Sequence, residues 1–236
     1  FAGYLAIAFA VATTGFTPAS APRAANAQDT AATLVSIGPL AFGPNDVLFA
    51  ADTQGAAIYA FELGSDTASG SSGAKDDEGI DQKIAALLGT DAAAISITDL
   101  AIHPKTKNAF IAVMRGQGAD AKPALVRVDG AGKLEAVQLA SLRHTKAALP
   151  NAPAPPAEGA RRNPRAASIT DMSFTDGKLI VAGLSNEEFA SKLRTIAYPF
   201  SAVEPGTSVE IYHGNHGALE TRSPVYLFVP YTVGGT

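Results

Sequence analysis

Two aspartates lie at the same position of a repeated sequence, where they could act as a pair of carboxylates. Residues 96–102 read SITDLAI and residues 168–174 read SITDMSF, which makes Asp99 and Asp171 equivalent. Neighbouring carboxylates could bind Ca²⁺ or a cationic ligand, because Ca²⁺ takes oxygen ligands. The alternative is that each aspartate accepts hydrogen bonds from backbone N–H groups beside a turn. We favour this structural interpretation and keep Asp99 and Asp171 as candidate ligands of a cation.

A second possible metal site is the spacing His213-x-x-His216-x-x-x-Glu220. Imidazole nitrogens and a carboxylate are ligands that suit zinc or iron. However, the residues from Gly214 to Gly217 have the composition of a hairpin turn. In such a turn the two histidines do not converge, so the hairpin is the interpretation that we favour.

Four further polar residues are candidates for ligand binding. Arg115 and Arg222 could bind an acidic ligand, because a guanidinium group forms paired hydrogen bonds with a carboxylate. Asn186 and Glu187 stand at the start of a predicted helix and could face the same ligand. The sequence has no nucleophile-elbow motif and no phosphate-binding glycine loop. It also has no cysteine, which excludes disulfides, thiolate metal sites and cysteine nucleophiles.

These residues belong to four repeated units, which begin near residues 36, 96, 168 and 223. Each unit starts with serine, continues through three residues to Leu or Met, and reaches Phe, Ile or Val two residues later. Internal repeats of this kind indicate a repeated supersecondary unit. Four-stranded units around an axis are typical of β-propellers. We therefore predict an all-β fold for residues 28–236, a partial β-propeller of about three blades and the start of a fourth.

Apolar runs between turn-forming residues predict the strands of each unit. In the first unit the predicted strands are residues 40–42, 47–51 and 57–63. In the second unit they are residues 100–102, 109–114, 124–129 and 134–139. In the third unit they are residues 172–174, 179–182 and 208–212, with a fourth near 218–221. Short helices are predicted in two loops, at residues 77–89 from apolar periodicity and at residues 185–194 from a capping box.

The turns on one face of the predicted propeller are short, and the loops on the opposite face are long. The long loops are residues 64–95, 115–123, 140–167 and 185–207. Rigid scaffolds commonly carry their binding residues on such loops. We expect the functional site on this face, which we call the long-loop face.

The first unit resembles a blade of NHL-type and related six-bladed propellers. In those proteins a Gly/Pro/Asp turn, here Gly43 to Asp46, precedes an apolar strand that ends in an Ala-Asp-Thr turn, here Ala51 to Thr53. The segment Ile37-Gly38-Pro39 also resembles the gluconolactonase/SMP-30 propellers, in which an acidic metal ligand precedes Gly-Pro. That resemblance implies a Ca²⁺-dependent lactonase or esterase, with Asp171 and Asn186 as further ligands, although Ile37 stands where the acid is expected.

Composition and the first residues indicate an exported protein with a hydrophobic core. The chain has 236 residues, 47% of them hydrophobic and 17% charged, and its net charge is −4 without a Lys/Arg cluster. That balance argues against nucleic acid as a partner. Residues 1–27 contain a short apolar run, Tyr4 to Val11, and end in Ala25-Asn26-Ala27, which is typical of a signal peptide that here lacks its start. We expect a periplasmic or secreted protein with no membrane span after cleavage.

Three functions follow from this sequence as hypotheses. The first is an exported, non-catalytic propeller that binds a small molecule or an extracellular protein through its long loops. The second is the Ca²⁺-dependent lactonase or esterase that the resemblance implies. The third is a redox propeller, whose cofactor would be bound non-covalently because no cysteine is present to attach it.

Overall fold

The computed structural model describes residues 31–64, 78–215, 217–220, 222–231 and 233–234. The predicted signal peptide and His216 lie outside the described residues. The prediction of an all-β fold is confirmed, because antiparallel sheets dominate the described chain and one α-helix accompanies them. We name the sheets 1, 2 and 3 in the order in which their first strands occur.

Each of the three sheets has four strands. Sheet 1 has the spatial order β1-β2-β3-β8, with β1 at Leu40–Phe42, β2 at Val47–Asp52, β3 at Ala57–Glu62 and β8 at His144–Ala148. Sheet 2 follows chain order, with β4 at Ile95–Ile102, β5 at Ala109–Arg115, β6 at Lys122–Val128 and β7 at Leu134–Val137. Sheet 3 consists of β9 at Asp171–Thr175, β10 at Lys178–Leu184, β11 at Ser191–Ala197 and β12 at Thr207–Ser208. A separate hairpin pairs β13 at Ile211–His213 with β14 at Ala218–Glu220.

Sheet 1 is buried on both faces because it lies between the other two sheets. All six residues of β2 are buried, as are the first five of β3. Phe49 and Ile58 pack in one core with Leu179 of sheet 3, whereas Leu48 packs in a second core with Phe110 of sheet 2. A strand that is covered on both faces carries a nearly continuous apolar run, which is what the sequence VLFAA provides. Burying each of these large side chains contributes about 1.5–3 kcal/mol.

The spatial order of the sheets differs from their order in the chain. The first strand of sheet 1, β1, contacts β4 of sheet 2 and β9 of sheet 3. After completing sheet 2, the chain returns to sheet 1 as β8, which pairs with β3 in the register Ala57↔Ala148. The sequence predicted a long loop over residues 140–167, because HTKAA carries no strong strand pattern. That prediction is wrong for residues 144–148, which form β8.

The helix that was predicted at residues 185–194 is also wrong. Residues 185–190 form a loop closed by a hydrogen bond from Ser185 N to Ala190 O, and β11 begins at Ser191. The capping box does not form, because the Ser185 hydroxyl accepts the N–H of Glu187 and Glu187 itself is bonded to Lys192. Seven register pairs with β10 then hold the segment as a strand. Residues 208–212 were predicted as the third strand of this unit, and that place in sheet 3 belongs to β11 instead. Residues 207–208 and 211–213 form the short strands β12 and β13, and the strand predicted near 218–221 pairs with β13 outside sheet 3.

The helix that was predicted at 77–89 is confirmed as α1, Ile80–Leu88. Gly89 ends it in the left-handed conformation, and its N–H bonds to the carbonyl groups of the last turn. Ile84 packs on sheet 2 against Ile111, Val113 and Val126. Among the described residues, none of the helices combines the length and the apolar character that a membrane crossing requires.

Candidate functional site

The repeated Thr-Asp pairs bind the backbone of a neighbouring unit. The Thr98 hydroxyl donates to the carbonyl oxygen of Ile37 at 2.9 Å, and Asp99 Oδ2 accepts the N–H of Leu40 at 2.7 Å. The pair therefore holds a carbonyl and an amide that are three residues apart at the start of β1. We call this arrangement a Thr-Asp clamp, and it fastens sheet 2 to sheet 1.

The second pair makes the same contacts on another segment. Thr170 donates to the carbonyl oxygen of Val225, and Asp171 Oδ2 accepts the N–H of Phe228 at 2.9 Å. The clamped groups are again three residues apart, so Val225 corresponds to Ile37. The alignment of Ser223 with Ser36 in the sequence analysis is therefore one residue out of step with the contacts. Segment 222–231 lies beside sheet 3 as β1 lies beside sheet 2.

Sheet 2 is clamped to sheet 1, and sheet 3 is clamped to segment 222–231, whereas sheets 1 and 3 meet without a Thr-Asp clamp. Sheet 1 has Gly38-Pro39, and segment 222–231 has Tyr226-Leu227, at the positions where sheets 2 and 3 carry Thr-Asp. Sheet 1 nevertheless packs on sheet 3 through β1 and β9. At that boundary the N–H of Met172 is satisfied by its own neighbour, Asp171 Oδ1, at 2.8 Å.

The clamped aspartates do not fit a calcium site. Both oxygens of Asp171 accept backbone N–H groups, from Met172 and Phe228. The pKa of Asp99 is raised above its ordinary value, chiefly by burial and also by the charge of Asp171, against hydrogen bonds from Leu40 and Leu100 that lower it. Within the described part of the chain, no three His, Asp or Glu side chains come together as a metal site would need.

A cavity of about 940 Å³ opens where the first strands of the sheets begin. Its volume lies at the upper end of the range for small-molecule sites. Two of the predicted long loops contribute to its wall, namely residues 115–123 and 140–167. None of the short turns at 43–46, 103–108, 130–133 and 175–177 reaches it. The wall consists of residues 35–39, 53–54, 98, 114, 118–119, 121, 156, 163, 166–167, 169–170 and 226.

Among the described residues that form the wall of this cavity, none is Asp, Glu, Lys, Arg or His. The hydroxyl of Ser36 in this wall is bound within the protein, since Ser36 Oγ donates to Asp52 and accepts from the N–H of Gln54. The hydroxyls of Thr98 and Thr170 belong to the clamps. The Asp52 carboxylate that accepts from Ser36 also accepts the backbone N–H groups of Val35, Ser36 and Gly55, so it holds the local backbone in place.

One side of the cavity is a strip, residues 150–167, which Arg165 fastens to sheet 1. Its guanidinium donates to the carbonyl oxygens of Gln54, Gly55 and Pro153, the last at 2.7 Å. Two of these carbonyl groups belong to the turn between β2 and β3 of sheet 1, so one side chain holds the strip against the sheet although the strip contains no regular strand.

The other predicted binding residues lie away from the cavity wall. Arg115 donates to the carbonyl oxygen of Leu88 at 3.0 Å and lines a smaller cavity of about 330 Å³. Asn186 N donates to Asn151 O at 2.7 Å, and Asn151 in turn donates to Glu187 at 2.6 Å. Arg222 is exposed near the start of segment 222–231.

The predicted His213, His216 and Glu220 site falls on the hairpin. The predicted turn between His213 and Ala218 is confirmed, because these two residues pair directly. Glu220 pairs with Ile211 in the same ladder. His216 lies outside the described residues, so the proposed three-ligand set stays a prediction.

A buried pair of cations lies on sheet 3. Lys192 and Arg194 alternate along β11 on the face that meets sheet 1, and Arg194 is 0% exposed. No nitrogen of the Arg194 guanidinium has a hydrogen-bond partner among the described residues. Burial lowers the pKa of Arg194, whereas the charge of Glu187 raises it. Glu187 forms an ion pair with Lys192, so the same acid acts on both buried cations.

Sequence reasoning missed the residues that form the cavity wall, including Gln54, Thr98, Met114 and Thr170. The sequence did carry a sign of the two threonines, because Thr98 and Thr170 each directly precede one of the equivalent aspartates of the repeat. Met114 carried no such signal, and it approaches the wall by accepting the N–H of Ile37 at 3.3 Å. Comparison with protein-family models, curated proteins and solved structures found no match to this chain.

Proposed function

We propose that this chain is an exported, non-catalytic binding protein of β-propeller architecture, which holds an uncharged ligand in the cavity on its long-loop face. The observation that carries this proposal is the chemistry of the cavity wall. A site for a charged ligand places an opposite charge or a free hydrogen-bonding group against it. Here the wall combines apolar residues such as Ile37, Met114 and Ile169 with the neutral amides of Gln54 and Asn163.

The propeller architecture is supported by the arrangement of the first strands. The residues just before β1 and β9, and Thr98 within β4, line one cavity, and each of these strands is the first of a four-stranded antiparallel sheet. Segment 222–231 adds a fourth start, which the second Thr-Asp clamp holds in an equivalent manner. This is the organisation that blades around a common axis require.

The lactonase and redox hypotheses receive less support from the same geometry. A Ca²⁺-dependent lactonase needs carboxylates that point into the cavity, and Asp99 and Asp171 instead accept backbone N–H groups. Hydrolysis of an aryl ester or lactone that disappears with EDTA would restore that hypothesis. A visible absorbance band in the purified protein would restore the redox one.

The ligand class is testable with probes of defined charge. Neutral oligosaccharides and neutral peptides, each compared with a charged analogue, would be screened for a rise in the unfolding temperature of the protein. Binding to the folded state raises that temperature by mass action. We expect stabilisation by neutral compounds and none by their charged analogues.

The location of binding is testable with a filled cavity. Ala121 lines the wall, so Ala121→Trp would occupy part of the volume and abolish the stabilisation. Ala131 lies on an exposed short turn of the opposite face, and Ala131→Trp is the matched control that should retain it. Stabilisation that persists in Ala121→Trp, or that only charged probes produce, contradicts the proposal.

A further inference from the structure

The Arg194 side chain lies inside the contact between sheet 3 and sheet 1. Arg194 pairs with Val181 of β10, so the two side chains share one face of sheet 3. On that face Val181 and Ile196 pack in the core that includes Phe49 of sheet 1. Arg194 is fully buried, so solvent does not reach its guanidinium group.

The backbone at Gly206 lies directly against the stem of this side chain. A Cβ at Gly206 would stand 2.6 Å from Arg194 Cγ and 2.7 Å from the carbonyl oxygen of Leu193, and φ at this residue is +86°. Glycine accommodates both the close approach and the positive φ. The segment that leads into β12 therefore helps to seal the arginine from solvent.

The guanidinium of Arg194 has hydrogen-bond donors without acceptors. Its Nε, Nη1 and Nη2 atoms are buried, and none of them has a hydrogen-bond partner among the described residues. A guanidinium stays protonated, and all its polar hydrogens are donors. Buried charges are normally paired and hydrogen-bonded, because an unpaired one strongly disfavours the folded state. The group therefore requires an acceptor that the described residues do not supply, and an ion is one such acceptor.

Glu187 does not supply this acceptor, although its charge acts on Arg194. Glu187 Oε1 accepts a hydrogen bond from Asn151, and Oε2 is bonded to Lys192, which also donates to Ser208. Lys192 is buried as well, so the cluster of two cations and Glu187 has an excess positive charge. A water molecule would accept hydrogen bonds and leave that charge unbalanced, whereas a monovalent anion would do both.

We propose that the Arg194 guanidinium binds one small monovalent anion within the contact between sheets 3 and 1, an ion of the size of chloride or formate. The anion accepts hydrogen bonds from the guanidinium nitrogens and balances the excess charge of the cluster. It is small because the core and the backbone at Gly206 enclose the arginine. Since it binds the folded state, it stabilises the fold in proportion to its concentration and affinity.

The test is the unfolding midpoint of the full 236-residue chain in sodium chloride, sodium formate and sodium gluconate at equal ionic strength. Gluconate carries the same charge and is too large for an enclosed site. We expect the midpoint of the wild type to rise with the concentration of chloride or formate relative to gluconate, as mass action requires for one bound anion. Equal midpoints in the three salts over the whole concentration range overturn the proposal.

Arg194→Met tests whether the response belongs to this side chain. In gluconate the variant should be as stable as the wild type or more stable, because Met fills a similar volume without a buried charge. Neither chloride nor formate should stabilise it further. Arg143→Met removes an arginine whose side chain is 71% exposed, and it should keep the full response of the wild type. A response of Arg194→Met equal to that of the wild type overturns the proposal.

Bromide gives a measurement that does not rely on a variant. It has the charge of chloride and scatters X-rays anomalously, so crystals of the wild type grown in sodium bromide should show an anomalous peak at the Arg194 guanidinium. Bromide bound only at other positions, or not bound, overturns the proposal. None of these outcomes involves the cavity on the long-loop face, so they leave the proposed binding function untouched.

Discussion

Asp99 accepts the main-chain N–H of Leu40 at 2.7 Å, across the boundary between sheet 2 and sheet 1. This contact explains why an aspartate recurs in some units and is absent from others. The units that carry it bind the backbone of the next unit, and the units that lack it present the backbone that is bound. The two carboxylates therefore hold neighbouring units together, sheet 2 with sheet 1 and sheet 3 with segment 222–231.

Replacing Asp171 with Asn should destabilise the fold. The two carboxylate oxygens accept one N–H each, and an amide side chain offers one acceptor oxygen and turns its NH₂ toward the other donor. Leaving a partly buried N–H without an acceptor costs about 1–3 kcal/mol. Denaturant unfolding would measure this loss. Asp176→Asn, in an exposed turn, is the control, and an equal effect of both changes would contradict the role of Asp171.

Asp99 should contribute more to the stability of the folded protein at acidic pH than at neutral pH. Burial raises the pKa of Asp99 in the folded state, so the folded state binds the proton more tightly than the unfolded state. The contribution is complete below the unfolded-state pKa and is lost as pH rises through the folded-state pKa. The stability of the wild type relative to Asp99→Asn should therefore increase as pH falls through this window. A difference that shrinks toward acid would show that the hydrogen bonds outweigh burial.

Glu187 should behave in the opposite way. The hydrogen bond from Lys192 and the further one from Asn151 lower the pKa of Glu187, so its contribution is present above the unfolded-state pKa. It is lost as pH falls through the folded-state pKa. Glu187→Gln should lower the unfolding midpoint at neutral pH, and its difference from the wild type should shrink in acid. Glu188→Gln, at an exposed neighbour, provides the comparison and should have little effect at any pH.

Replacing Arg194 with Met should leave the stability unchanged or increase it. The guanidinium is fully buried and its nitrogens lack hydrogen-bond partners among the described residues. Apolar residues of similar volume often replace buried charges at no cost. Equilibrium unfolding in sodium gluconate would compare the variant with the wild type. A large loss of stability would mean that the guanidinium has a favourable partner in solution.

Gly183→Ala should be among the most damaging single changes. A Cβ at this position of β10 would overlap the carbonyl group of Ser168, which passes directly over the strand on its way to Thr170. The backbone must move to relieve that overlap, and such shifts cost about 1–3 kcal/mol. Gly214 has open space around it, so Gly214→Ala is the matched control for the loss of a glycine. Similar unfolding midpoints for the two variants would contradict this close approach.

Local sequence was a reliable guide to most strands and an unreliable guide to one part of sheet 3. The predicted strands in residues 40–63 and 100–139 correspond to observed ones, because apolar alternation between turn residues is a short-range signal. The capping box at Ser185 is also a short-range signal, yet residues 191–197 form a strand. There, pairing with β10 and burial against sheet 1 outweighed the local preference for helix.

The sequence suggested on which face of the fold a candidate site would lie, but it did not suggest which residues would line that site. Loop lengths indicated the long-loop face, and the candidate cavity is lined there by residues 118, 119, 121, 163, 166 and 167. The charged residues that attracted attention in the sequence, such as Arg115 and Glu187, turned out to bond to the protein itself. Residue type indicates what a side chain could bind, and only its neighbours decide what it does bind.

The sequence by itself determined the repeated units, the all-β class and the presence of an equivalent aspartate in two units. Only the tertiary structure decided that sheet 1 lies between sheets 2 and 3, and that β8 returns to complete it. The physical reason is the range of the forces involved. Strand formation depends mainly on a few consecutive residues. The choice of neighbouring sheet depends on packing between residues that are far apart in the chain, such as Phe49 and Leu179.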